Sequence, residues 1–304
     1  MRKVLKWFGL IAGGLLGVFL VLLVVLFLVG SRKENRTYDV EIASVAVPTD
    51  AASIARGKHS VEAVWMCQVC HGQNLAGPDV DGCKVVSCTG FSDDALFGKM
   101  MPKNLTSGRG GIGGVYTDED YVRAIRHGIS RDDKALLIMP SEVFNKISDE
   151  DLGAIIAYLK TLPPVDNELD ESGLAPLGRI LAAFEGSLLP ATLIDHNAPR
   201  TPPPAAGVTA EYGEYLAEIC TVCHGERLSG GEVPGDERAR APNITPGGAP
   251  GSWTRSQFVD TIRSGITPKG NLLDPRLMPW NRFTQMTDDE LDAIWLYLQS
   301  LPAG

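Results

Sequence analysis

The sequence lacks any gathering of positive charge. Its 28 Lys and Arg are outnumbered by 37 Asp and Glu, for a formal net charge of −9, and they form no stripe that could follow a phosphate backbone. Nucleic acid is excluded as a partner class. There is also no convincing alternation of apolar and polar residues of the kind that marks a half-buried strand, so the framework is expected to be all-α. Cysteine is sparse, with six in 304 residues. One stretch lacks charge altogether: from Trp7 to Gly30 no acidic or basic residue occurs.

At ~1.5 Å per residue that stretch is long enough, as a helix, to cross the ~30 Å hydrocarbon layer of a bilayer. A cleaved signal peptide usually carries an apolar region of only about 7 to 15 residues and ends at a small-residue site. Here the run is longer and no clear site follows it. The expectation is one transmembrane anchor at 7–30, behind a cytoplasmic tail at 1–6 and ahead of a linker at 31–50. Arg2, Lys3 and Lys6 before the run are nearly balanced by Arg32, Lys33 and Arg36 after it, so loop charge does not orient it.

Four of the six cysteines fall into two C-x-x-C-H units, "CQVCHG" at 67–72 and "CTVCHG" at 220–225. On a helix, positions i, i+3 and i+4 share a face, so two thiols and an imidazole point at one object. That spacing suits covalent attachment of a haem through Cys67 and Cys70, with His71 free to bind iron, and again through Cys220, Cys223 and His224. A zinc site shared between the clusters, or a thioredoxin-like redox pair, would use the same cysteines. Zinc does not require the histidine to follow at once in both copies, and the redox pair wants a βαβ context that the flanks do not offer. Two covalently bound haem c groups are the expectation. In bacteria this attachment takes place outside the cytoplasmic membrane, which would put everything after Gly30 in the periplasm. Cys83 and Cys88 have no histidine after them and are expected to pair as a disulfide.

The repeat extends beyond the motifs. "CHGQNLAG" (70–77) matches "CHGERLSG" (223–230) at an offset of 153, whereas "KNLTSG" (103–108) matches "PNITPG" (242–247) at 139, so the first half carries 14 extra residues holding Cys83 and Cys88. At the same 139 offset, "LIMPSEVFNKISDEDLGAIIAYLKTLP" (137–163) aligns with "RLMPWNRFTQMTDDELDAIWLYLQSLP" (276–302), placing Met139 on Met278. A thioether on iron favours the reduced state and raises the potential. These methionines are the candidate sixth ligands. Met286 aligns with Ile147 and His127 with Ser264, Met100 and Met101 sit at the edge of the insertion, and His59 is not repeated. Around the ligands, caps and period predict helices starting at Thr117 and Thr254, with Tyr121, Val122, Ile125 and Ile129 on the apolar face of one and Phe258, Val259, Ile262 and Ile266 on that of the other. The closing helices bury Leu152, Ile155, Ile156 and Leu159, and Leu291, Ile294, Trp295 and Leu298.

With these elements in place, residues after about 50 resemble class I cytochrome c domains, as two tandem copies at 51–163 and 207–304. The linker at 164–206 contains the apolar segment "LAPLGRILAAFEGSLLP", expected as an amphipathic helix packed on the domains or a partner. The "HG…L.G", "PNIT" and "IR.GI" elements are similar to the membrane-associated cytochrome subunits of bacterial alcohol and gluconate dehydrogenases, which usually carry three haems where this chain offers two. The resemblance implies His71 with Met139 on one iron and His224 with Met278 on the other. It also implies that a backbone carbonyl near the "PNIT" loop holds each histidine. Pro242 matches that place, but Lys103 stands there in the first half, so the two sites are expected to differ.

The expected function is electron transfer on the outer face of a bacterial inner membrane, from a dehydrogenase or quinol-oxidising complex to an oxidase or soluble cytochrome, with no catalytic residues of its own. A dihaem peroxidase is the alternative, and it would need one iron open to substrate. Setting aside Arg2, Lys3 and Lys6 leaves 25 cations against 37 anions, a surface that steers a partner with a basic docking face. Exchange with a basic soluble cytochrome is expected to slow as salt rises, which stopped-flow kinetics would show.

Overall fold

The computed structural model describes residues 2–78, 93–200, 202–233 and 236–303; Cys83, Cys88 and their expected disulfide lie outside the described residues. The chain is mostly helical. Its first element is α1 (Arg2–Glu34), whose most apolar window has a mean hydropathy of 3.0 and no buried residues. There follow α2 (Ala51–His59), a π-helical turn (Ser60–Val64), α3 (Cys67–His71), β1 (Asp93–Asp94), β2 (Gly98–Lys99), α4 (Asp118–His127), α5 (Ser141–Phe144), α6 (Asp149–Leu159), β3 (Gly173–Leu174) and α7 (Pro176–Ala182). The second half holds α8 (Ala210–Ala217), α9 (Thr221–His224), β4 (Gly231–Val233), β5 (Asp236–Ala241), α10 (Arg255–Ser264), α11 (Trp280–Phe283) and α12 (Asp288–Ser300). No strand was expected from the residue pattern, yet β2 pairs antiparallel with β1 and β3, and β4 pairs with β5. They are short and connect loops, and the core is left to helices.

The helix boundaries follow local chemistry. Thr117 and Thr254 cap α4 and α10 through reciprocal capping boxes with Asp120 and Gln257, satisfying backbone N–H groups that have no partner within the helix. Both helices stop at a glycine in the left-handed region, Gly128 (φ 64°) and Gly265 (φ 71°), where a side chain would be strained. In each half the helix before the motif crosses the closing helix at a glycine. A Cβ on Gly57 would meet the Ala154 carbonyl oxygen at 1.9 Å, and one on Gly213 would meet that of Ala293 at 1.9 Å. Gly57→Ala or Gly213→Ala is therefore expected to destabilise the fold by about 1–3 kcal/mol, readable as a lowered thermal midpoint of the purified protein.

The two halves share one core cluster, which joins Trp65, Phe144 and Ile147 to Leu216, Ile219 and Leu291. Their contact is reciprocal. His59 Nε2 meets the Glu290 carboxylate at 2.9 Å, while the corresponding residue of the second half, Tyr215, donates through its hydroxyl to Asp151, the counterpart of Glu290, at 2.6 Å. Likewise α5 packs on the turn Glu218–Cys220, and α11 on the π-helical turn. Each half thus uses the same patch against the other, as subunits do around a two-fold axis. Hydrogen bonding to Glu290 raises the pKa of His59 against the opposing effect of burial. A raised histidine pKa gives stability that is complete below the unfolded value and disappears as pH climbs through the folded one. The stability gap between the parent and His59→Asn is expected to be widest near about pH 5.5 and to shrink by about pH 9, as denaturation curves at the two pH values would show.

The linker segment forms α7, and α7 packs on α1. A Cβ on Gly30 would lie 1.6 Å from the Arg179 carbonyl oxygen, so only glycine permits this crossing. Arg179 bonds Glu34 at 2.7 Å, and Lys33 donates to the Ala183 carbonyl at 2.7 Å.

Candidate functional site

The first C-x-x-C-H unit forms α3 and the second runs from the turn Glu218–Cys220 into α9; both short helices end at a glycine in the left-handed region, Gly72 (φ 76°) and Gly225 (φ 74°). At Gly72 the need is also steric, because a Cβ would lie 2.2 Å from the Gly77 carbonyl oxygen. The chain then folds back on the helix end: Gly77 N–H donates to the His71 carbonyl and Gly230 N–H to that of His224. Leu75 (φ 60°) and Leu228 (φ 55°) occupy the left-handed region and are both 1% exposed. Their carbonyls accept the N–H groups of Leu105 and Ile244. The conformation costs energy for a non-glycine residue, and here it ties the "HG…L.G" turn to the "NLT" and "NIT" loops.

Those loops reach the histidines. Asn104 and Asn243 accept from the backbone and hydroxyl of Thr106 and Thr245, an Asx turn that stiffens the loop. The residue just before each asparagine presents its carbonyl to an imidazole. His71 Nδ1–H donates to Lys103 O at 2.8 Å and His224 Nδ1–H to Pro242 O at 2.7 Å. The expected difference between the sites is thus absent at this contact, because the acceptor is a backbone carbonyl and the side chain of residue 103 is irrelevant to it. With Nδ1 engaged, Nε2 is the nitrogen left for a metal.

Burial pushes the thiols of Cys67 and Cys220 up to about 12 and those of Cys70 and Cys223 up to about 11. All four are free of disulfides. Burial also pulls His71 and His224 below the ordinary value, against the opposing carbonyl bond. This does not suit a thioredoxin-like pair, whose reactivity depends on a depressed thiol pKa. Among the described residues no group of three or more His, Cys, Asp or Glu side chains is arranged to hold a metal ion, so the two motifs do not converge on a shared zinc site. Two neutral thiols beside an imidazole with a free Nε2 fit covalently attached haem c.

Met139 and Met278 are half-buried and pack on the same core cluster as Cys67 and Cys220. Each is followed by a proline that caps a one-turn helix, and the N–H two residues on returns to the methionine carbonyl, Ser141 to Met139 at 2.6 Å and Trp280 to Met278 at 2.7 Å. The competing side chains are engaged elsewhere. His59 pairs with Glu290, His127 meets His196 at 3.1 Å, Met286 is 3% exposed in the core, and Met100 belongs to a separate cluster with Leu174 and Leu189.

The two methionine loops differ in cover. Ile129 is fully buried beneath Tyr38 and Ala191, and Ile138 (φ 63°) is held by its N–H to the Leu188 carbonyl. Ile266, expected on the buried face of its helix, is instead 49% exposed. Both it and Ile129 fall just past the glycine that ends the helix, not on the helix as expected; what changes between them is that the linker roofs only the first loop. Sequence period reports which face a residue takes and cannot report whether a distant segment covers it.

The helical fold and the twin motifs define a c-type cytochrome, and the chain belongs to the family described as cytochrome c oxidase, cbb3-type, subunit III, which matches it over residues 52–159 and 209–298. Among individual proteins, it is 28% identical to the fructose dehydrogenase cytochrome subunit of Gluconobacter japonicus, over 92% of this chain and 58% of that one. It is 29% identical to a diheme cytochrome c-type protein of Cereibacter sphaeroides, over 78% of this chain and 82% of that protein. Against the cytochrome c subunit of alcohol dehydrogenase (quinone) from Gluconacetobacter polyoxogenes it is 27% identical, over 83% and 57%. The resemblance to dehydrogenase cytochrome subunits read from the sequence is borne out. The chain spans somewhat under three fifths of the fructose and alcohol dehydrogenase subunits.

Proposed function

We propose that the protein is a membrane-anchored dihaem cytochrome c that passes single electrons from a dehydrogenase or quinol-oxidising donor to an oxidase or soluble cytochrome. The observation that carries this reading is the repeated site: two half-buried thiols beside an imidazole whose Nδ1 is fixed on a backbone carbonyl, once in 51–163 and again in 207–304. Bound haem supplies a one-electron ferrous/ferric couple. The protein's part is to hold it. Cys67, Cys70, Cys220 and Cys223 would hold the haems covalently, and His71, Met139, His224 and Met278 would supply the ligands to iron. The Lys103 and Pro242 carbonyls fix each imidazole's tautomer and strengthen it as a donor.

Electron transfer also asks that two centres keep a fixed relation. The reciprocal contact through Trp65, Tyr215, His59 and Glu290 makes one core of the two halves, so each centre moves little relative to the other. The charge-free run of α1 serves as the anchor, and its packing on α7 stiffens the joint to the periplasmic part. Relatives named as subunits of fructose and alcohol dehydrogenases support a dehydrogenase as donor.

Purification of the whole chain in mild detergent tests the reading. Two haems per chain by pyridine haemochrome, and two low-spin ferric signals by electron paramagnetic resonance, are expected. A high-spin ferric signal that reacts with peroxide would overturn it in favour of the peroxidase.

A further inference from the structure

The two halves match element for element, yet their methionine loops meet the surroundings differently. In the first half the loop lies under other parts of the chain: Tyr38 N–H bonds the Asp133 carbonyl, Leu137 and Ile138 pack against Leu188 and Leu189, and Ala191 covers Ile129. In the second half the corresponding residues form an open apolar patch, with Ile266 49% exposed, Leu272 71% and Leu277 36%. Such side chains gain free energy when covered, and the first half shows that this loop can be covered by protein.

Charge differs as well. From Arg126 to Asp149 four cations face four carboxylates, whereas the matching stretch from Arg263 to Asp288 has Arg263, Lys269, Arg276 and Arg282 against only Asp274 and Asp288. Arg276 is bonded to Asp274 and Arg263 to Asp288, while Arg282 donates to the neutral Gln73 amide oxygen and Lys269 forms no ion pair among the described residues. A chain of net charge −9 thus carries a positive patch around exposed leucines at the second site.

We propose that this patch, centred on Leu272 and Lys269, is where an acidic electron-transfer protein docks and exchanges electrons with the second haem, while the linker closes the matching face of the first. The proposal rests on the electron-carrier reading and reverses, for this face, the partner charge expected from the whole chain. The reversal is physical. Salt screens charges over about 10 Å at about 0.1 M ionic strength, so the groups nearest the contact govern docking and the distant acidic surface is damped.

The test is stopped-flow electron exchange between the full chain in detergent and two probes, an acidic plastocyanin-type copper protein and a basic mitochondrial-type cytochrome c. Lys269→Glu is expected to slow exchange with the acidic probe by about fivefold at low ionic strength, with the gap closing as salt rises. Leu272→Ser is expected to slow it without altering the salt dependence, and Lys134→Glu on the roofed loop to leave it unchanged. Haem content and both potentials, measured first, should match the parent in all three variants. Equal rates for Lys269→Glu and the parent, or an equal loss in Lys134→Glu, would overturn the docking face while leaving the carrier intact. A chain that holds no haem would overturn the carrier reading and the docking face together.

Discussion

Replacing Cys67 and Cys70 together with serine is expected to leave one covalently bound haem per chain in place of two, and Cys220→Ser with Cys223→Ser to do the same at the other site. The argument is chemical. Two thioether bonds to one haem need both sulfurs of one motif, and the four thiols are free, half-buried and paired by sequence position at their own short helices. Haem stain on a denaturing gel and pyridine haemochrome titration read the result, and a stoichiometry still at two, or at zero in either variant, would count against independent sites. Loss of one haem should also lower the melting temperature, because a group held only by the folded chain stabilises it. Retention of a full melt would show that the shared core folds without it.

Met278→Ala is expected to lower the potential of one haem by on the order of a hundred millivolts, within the ~0.8 V range over which axial ligands set haem potentials. A thioether favours ferrous iron, and its removal leaves a cavity in a loop open to solvent, which water can enter. The second haem should keep its potential. Met139→Ala should shift the other haem, but its loop is roofed by Leu188 and Leu189 and held at Ile138, so water enters less readily. A spectroelectrochemical titration of each variant resolves the two waves. Two unshifted waves would mean that other side chains face the irons. A new high-spin band should accompany each shift, since the lost ligand opens one coordination position.

Much of this was legible in the residues. The spacing of the cysteines and histidines, the register of Met139 on Met278, and the caps at Thr117 and Thr254 are local patterns, and local patterns survive folding because they are satisfied within a few residues. The carbonyl that receives each histidine was legible only in part. The "PNIT" loop pointed to Pro242, whereas Lys103 looked like a departure until the structure showed that the backbone alone makes the bond. The left-handed turns at Leu75 and Leu228 were hidden, since leucine carries no mark of a conformation usually left to glycine. So were the short strands, which lie in loops and show no alternation.

The sequence by itself determined the two repeated C-x-x-C-H units and the cytochrome c character of the chain, because that signature depends on residue types at fixed spacings along one chain. Only the tertiary structure decided how those sites meet the rest of the molecule. The pairing of His59 with Glu290 and of Tyr215 with Asp151, the lodging of Arg179 against Gly30, and the roof over Met139 but not over Met278 all join residues far apart in the chain. Nothing in a residue's own neighbourhood encodes a partner fifty or more positions away. The exposure of Ile266 beside the burial of Ile129 is the clearest case: each follows the capping glycine of its own matching helix, and they are distinguished by what the linker reaches.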